Sequence, residues 1–260
     1  DSTTLDKQCI LIAGSGDDLP RLSAALRGSR MGMLRVYLAS LYSDNFESFR
    51  DDFDVIAGPR AHHSAHQVET LGVVTSLDKR EMKMISGGKK SVHPYPYNVL
   101  LLLGGDTLKV SGYTATFAAR LKQTLADCGP AIITVMGSVR TPGHFMDSWK
   151  DTRFGVIPVA TREEYLRALC TADIIITTVD SMMITTEACL TGKPVYIVMD
   201  GGLAESPHYA VASDLIGSGA ARKFDGRLEI WTPAAFINPM DIVLQAVTSR
   251  IRLTSARRSG

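Results

Sequence analysis

Gly104, Gly105, Arg140, Ser181, Met182 and Glu187 are the residues of this chain whose types and spacing could serve a single chemistry. Ser181 and Met182 open a segment, Met182–Leu190, with helical spacing. The free N–H groups and positive dipole end of a helix start suit a phosphate. Glu187 lies about two turns into that segment, where its carboxylate could reach a pair of sugar hydroxyls. Arg140 sits in the polar turn Ser138-Val139-Arg140-Thr141-Pro142, placed either to hold a phosphate or carboxylate or simply to be solvated. The paired glycines allow either close approach of a ligand to the backbone or tight packing alone.

Two other clusters offer chemistry and carry less. His62, His63 and His66 stand within five residues, and the four-residue step from His62 to His66 is one a metal site uses. No Asp or Glu lies between them and no third ligand is evident, so a surface loop is the expected reading and no metal site is assigned. Gly14-Ser15-Gly16 lacks the third spaced glycine of a dinucleotide fingerprint. An NAD-dependent enzyme would rest on that turn and on βα rhythm alone, and fold does not establish function. No His or Asp of the first half falls in a turn suited to a general base, so no catalytic residue is assigned.

The elements that must position these residues follow a βα rhythm. The β-branched run 174–179 reads as a buried parallel strand, Asp180-Ser181 as a cap, Gly192 as a helix stop, and 194–199 as a second strand. That is a strand, helix, strand unit of the right-handed crossover kind. Upstream, 8–16 is a strand feeding a helix at 19–26, 34–38 and 53–57 are short strands, and 70–75 continues the pattern. The polar stretch 79–97, with its glycines and prolines, is the best linker in the chain. Beyond it, 98–107 is a strand ending in the double glycine, 113–128 a helix, 132–142 a strand plus a polar turn, 154–159 a strand, 163–172 a helix, 206–216 a helix and 241–251 a long apolar-faced helix. The expected class is α/β, built as two successive βα layers around mainly parallel sheets. Domains are expected at 1–97, including the linker, and 98–260, with the last helix packing back on the first domain.

Composition bounds the function. The chain has 260 residues, 45% of them hydrophobic, enough for a real core or two. With 28 Lys and Arg against 27 Asp and Glu, there is no bulk electrostatic reason to expect sequence-specific nucleic-acid reading. The basic tail Arg250, Arg252, Arg257, Arg258 reads first as a solvated terminus. Cys9, Cys128, Cys170 and Cys189 are widely spaced without a CxxC, which fits a reducing compartment better than a zinc site or disulfide framework. No apolar run is long enough to span a bilayer. The chain begins at Asp1, the expected pattern where a targeting segment has been removed or leading residues are not included.

At the level of motifs the chain resembles the Elongated Mitochondria (ELM-like) family, mitochondrial-fission proteins of plants and their bacterial relatives. The resemblance is carried by residues 180–188 with Thr191-Gly192-Lys193-Pro194-Val195, by Leu103-Gly104-Gly105, by Ser138-Val139-Arg140-Thr141-Pro142, and by 221–229, four motifs in the family's order. Phe53-Asp54 followed by Pro59 is a further counterpart. The resemblance implies two Rossmann-like domains in a GT-B-like arrangement, with the N-terminal domain shortened. It also implies a nucleotide-sugar site in which Gly104 and Gly105 form the glycine turn, Ser181 and Met182 the helix start, Glu187 the ribose carboxylate and Arg140 the remaining arginine of an arginine-rich turn. Met183 or its neighbour replaces the middle serine of the family's pattern, and Arg140 is the one arginine left in the turn, with Val139 beside it.

Those departures make a non-catalytic member the expected reading. Such a protein would need no cofactor and would act as a structural or interaction component in mitochondrial division or in a large organellar assembly, a ribosome or its maturation complex. Its partners would be other mitochondrial proteins or a large ribonucleoprotein. The alternative is a transferase that binds a nucleoside diphosphate sugar at Gly104, Gly105, Arg140, Ser181, Met182 and Glu187.

Overall fold

The computed structural model describes residues 10–14, 34–39, 50–59, 67–86, 96–105, 114–150, 153–199 and 206–258. Two compact units emerge, one formed by 1–74 with 237–260 and the other by 75–236; the sequence reading put the division at 97/98. The histidine cluster 62–66 and most of the Gly14-Ser15-Gly16 turn lie outside the described residues.

The first unit holds four parallel strands in the order β1 (Ile10–Gly14), β2 (Leu34–Leu38), β3 (Val55–Gly58), β4 (Gln67–Glu69). Val36 pairs with Val55, and with Ala57 they pack against Val243 of the C-terminal helix α7 (Pro239–Arg258). Ala246 and Val247 join Val243 at the three- and four-residue steps that put them on one helix face. Tyr37 alternates with Val36 along the strand, and its ring lies 5.2 Å from that of Phe53. The expected strand at 70–75 is instead a turn after β4. The Thr70 hydroxyl donates to the Gly72 carbonyl at 2.6 Å, and Gly72 takes a φ of 135°, open to glycine and strained for other residues.

In the second unit the expected linker begins with a helix, α1 (Lys79–Ser86). Asp78 explains its start: its carboxylate accepts the N–H groups of Arg80 and Glu81 at 2.7 and 2.8 Å, while Glu81 returns a bond to the Asp78 N–H at 3.0 Å. This reciprocal cap offsets the cost of a short polar helix.

The remaining elements are β5 (Tyr97–Leu102), α2 (Ala115–Asp127), β6 (Ala131–Met136), α3 (Gly143–Asp147), β7 (Gly155–Ile157), α4 (Arg162–Thr171), β8 (Ile174–Thr178), α5 (Met182–Leu190), β9 (Val195–Val198), α6 (Pro207–Gly217) and β10 (Arg222–Lys223). The strands form one parallel sheet in the order β10-β9-β8-β5-β6-β7. Thus β5, first in the chain, lies in the middle; the chain runs outward through β6 and β7 and then crosses to the other side of β5 at β8.

Register builds the core. Val99 has Ile133 and Ile174 as lateral partners, and Leu101 has Val135 and Ile176, so these side chains share one face. Onto it pack Phe117, Leu121 and Leu125 of α2, and Phe145 and Trp149, with Trp149 fully buried and its ring 5.8 Å from Phe154. Helix ends are held locally. Thr114 accepts the Phe117 N–H at 3.1 Å, Thr161 and Glu164 form a reciprocal cap on α4, and the Lys193 ammonium donates to the Leu169 and Cys170 carbonyls, both at 2.6 Å. Lys193 therefore closes the C-terminal end of α4, where a cation also meets the negative end of the dipole.

Both tryptophans belong to the second unit, so their fluorescence reports its unfolding. Leu101→Ala, at a fully buried site, is expected to cost about 2–5 kcal/mol in urea denaturation. Ile132→Ala, on a side chain 57% exposed, should cost well under about 1 kcal/mol.

Candidate functional site

In an open parallel sheet the carboxyl ends of two neighbouring strands at an order reversal leave a crevice that helices do not cover. Here those strands are β5 and β8, and they deliver Leu103-Gly104-Gly105 and Val179-Asp180-Ser181. Gly104 donates its N–H to the Thr178 hydroxyl at 2.9 Å, and Gly105 donates to the Asp180 carboxylate at 2.6 Å. From the β6 side, the Ser138 hydroxyl donates to the Gly104 carbonyl at 2.6 Å and the Thr141 hydroxyl reaches the same carbonyl.

Sterics require both glycines. A Cβ on Gly104 would stand 2.1 Å from Asp180 Oδ2 and 2.9 Å from Ser181 Cβ, and one on Gly105 would stand 2.2 Å from the Arg140 carbonyl carbon. Of the two roles the sequence left open for the glycine pair, tight packing is the one the contacts display. The same contacts gather Gly104, Gly105, Arg140 and Ser181 at one end of the sheet.

Ser181 is the N-cap of α5 with a φ of −128°, and its side chain makes no capping bond. The expected cap therefore differs in kind: the Ser181 side chain makes no capping bond, and Asp180 accepts from Gly105. Met182 is buried and Met183 is 53% exposed. Arg140 is exposed and has no carboxylate partner among the described residues. Its positive charge acts on His208, the second residue of α6. Burial, with that charge added, pushes the His208 imidazole down to about 4.

Glu187 stands apart from this group. It is 3% exposed, and the Tyr165 hydroxyl of α4 donates to its Oε2 at 2.7 Å. Arg162 Nη1 lies 3.8 Å from Oε1, an ion pair too long for a hydrogen bond, so Oε1 has no hydrogen-bond partner. Arg162 spends its fork on Glu81, at 2.9 and 2.7 Å. Burial raises the Glu187 carboxyl above its ordinary value, opposed by the Tyr165 bond and the Arg162 charge. Burial, followed by the Glu187 charge, holds the Tyr165 hydroxyl well above its own.

Sequence reasoning missed Asp180 as the partner of Gly105 and missed the set Glu81, Arg162 and Tyr165. The three-residue step from Arg162 to Tyr165, at the start of a capped helix, would have put both on one face. No sequence signal places Glu81 opposite them. Among the described residues no three His, Cys, Asp or Glu side chains gather as a metal site.

Comparison with known proteins gives one family. A model described as mitochondrial fission ELM1 matches residues 11–251. No curated protein matches the sequence. Among solved structures, the chain is similar to Acinetobacter baumannii MurG at 15% identity, with a TM-score of 0.52, covering 91% of this chain and 64% of that one. It is also similar to a candidate UDP-N-acetylglucosamine 2-epimerase from Listeria monocytogenes, at 12% identity and a TM-score of 0.53, covering 93% and 74%. The spinosyn rhamnosyltransferase SpnG matches at 12% identity with a TM-score of 0.50, covering 92% and 64%. The chain thus spans less than two thirds of the length of MurG and SpnG. At these identities the likeness speaks to fold: an α/β chain with parallel sheets whose structural neighbours are GT-B glycosyltransferases.

His208 makes a pH test available. The unfolded imidazole takes a proton as pH falls through its ordinary value of 6.5, while the folded one resists until about 4, so its contribution is complete above 6.5 and lost as pH drops towards 4. Glu187 acts with the opposite sign, because its raised folded value makes the folded state the first to take a proton on acidification. In urea denaturation across this range, His208→Gln should flatten the acid loss relative to the parent chain by up to about 3 kcal/mol.

Proposed function

We propose that this chain, which belongs to the mitochondrial fission ELM1 family, acts without catalysis as a folded interaction component in mitochondria, with organelle division the process its family points to. The carrying observation is the Asp180 carboxylate, 5% exposed and bonded at 2.6 Å to the Gly105 N–H. A diphosphate set on the glycine turn would need that donor and would meet a buried negative charge beside it. At about 4 Å and an effective dielectric of about 20, each such pair of like charges costs about 4 kcal/mol. The start of α5 offers an anion about 0.3–1 kcal/mol in return, and Arg140 is exposed and screened.

The second polar determinant is also occupied. A ribose would need the Glu187 carboxylate turned to it, whereas that group is buried on Tyr165 and beside Arg162. A nucleotide-sugar transferase is the competing reading. It is favoured by the order reversal between β5 and β8 and by Arg140, which has no carboxylate partner among the described residues.

Isothermal titration with uridine and guanosine diphosphate sugars at millimolar ligand separates the two readings. No heat is expected, and saturable binding to the parent chain would overturn the non-catalytic reading. Affinity recovery from mitochondria is expected to return the same defined set of proteins with the parent chain and with Glu187→Gln; recovery of none would count against an interaction role.

A further inference from the structure

One guanidinium of the second unit stands between two carboxylates. Arg162, the first residue of α4, gives its Nε and Nη2 to Glu81 of α1 at 2.9 and 2.7 Å, while its Nη1 lies 3.8 Å from Oε1 of Glu187 in α5. The two pairs are not alike. The Glu81 and Arg162 side chains keep 22% and 42% of their surface exposed, so water competes for their contact, whereas the Glu187 side chain keeps 4%. Glu187 Oε1 has no hydrogen bond.

Glu81 holds α1 in two ways at once. Its Oε2 accepts the Asp78 N–H that opens the helix and the Arg162 Nη2 that docks it on α4. A helix of 8 residues is too short to persist in water by itself, so α1 is helical because it is capped and docked. Ahead of it Thr75 and Leu77 are buried and anchor the chain. The two carboxylates also repel each other: burial comes first in raising the Glu187 carboxyl, and the Glu81 charge adds to it.

We propose that Arg162 is an exchangeable latch, holding Glu81 while α1 is docked and turning to Glu187 when α1 opens, so that docking of α1 and neutralisation of Glu187 exclude one another. The latch goes beyond the non-catalytic reading and does not depend on it, because Glu187 stands apart from the glycine crevice. Opening gives up a pair that water already weakens. In return a buried carboxylate gains the bond it lacks, by a movement of roughly an ångström, and loses a like-charged neighbour. Terms that offset in this way are the condition for a local opening that a small perturbation can shift. A fixed brace differs in sign. There, removing any of the three charges loosens α1. In an exchange, removing the Glu187 charge takes the arginine's second partner from the open state and the repulsion from the docked one, so α1 tightens.

Hydrogen exchange of the full chain, read by mass spectrometry on the peptides that cover α1 and β8, measures the opening. Glu81→Gln keeps an acceptor for the Asp78 N–H and loses the charge, and should speed exchange of the α1 amides by about two- to fivefold. Glu187→Gln keeps an acceptor for the Tyr165 hydroxyl and should slow it by about twofold, with β8 unchanged in both variants as the control for global unfolding. In a crystal structure of Glu81→Gln, Arg162 should be hydrogen-bonded to Glu187 Oε1. The latch is overturned if Glu187→Gln speeds α1 exchange or leaves it as it was, if the α1 amides of the parent chain are already exchanged at the first time point, or if Arg162 in the Glu81→Gln crystal makes no bond to Glu187. That last result decides the matter even where Glu187→Gln does not fold.

Discussion

The contact between the ends of β5 and β8 is what the second unit is arranged around. Strand order reverses there, so the helices that follow the two strands leave on opposite faces and neither covers the gap. Two glycines let β5 approach until Asp180 and the Arg140 backbone fill the space that side chains would otherwise need. The Asp180 bond to Gly105, the Thr178 bond to Gly104 and the Ser138 and Thr141 hydroxyls then give the Gly104 and Gly105 N–H groups and the Gly104 carbonyl partners from the protein itself.

Internal partners also surround Glu187. A buried carboxylate with one oxygen lacking a hydrogen bond is a net cost, and the half-exposed Arg162 returns only part of it. The directional bonds of Tyr165 and Arg162 connect α4 to both α1 and α5 and thereby fix how these helices sit on each other. Lys193 does comparable work at the far end of α4, exchanging part of its hydration for two carbonyls at a helix terminus. Burial lowers its affinity for the proton, as expected for an ammonium held away from water.

Much of the fold was legible because short-range rules govern it. The β-branched run at 174–178, the glycine stop at 192 and the capped helix at 162–171 follow from propensity and caps, and the described elements agree with the expected α/β class. The helix at 79–86 was missed because its signal is a cap, Asp78 with Glu81, on a segment too polar to show an apolar stripe. The strand expected at 70–75 failed because β-branched composition there competes with a glycine at positive φ. The last helix supplies Val243 to the core of the first unit, a placement that depends on packing against β3, well over a hundred residues away.

By itself the sequence determined which residues are gathered at the carboxyl edge: glycines after a central strand, a serine at a helix start and an arginine in the next turn are matters of local spacing within βα units. Only the tertiary structure decided what those residues are bonded to. Asp180 and Gly105 are 75 residues apart in the chain, and Glu81 and Arg162 are 81 apart. Whether a carboxylate faces a ligand or a neighbouring backbone N–H depends on strand order and register, which set ångström-scale distances between segments that no local pattern relates. For that reason the residue set, read from the chain alone, carried no account of which internal groups its members meet.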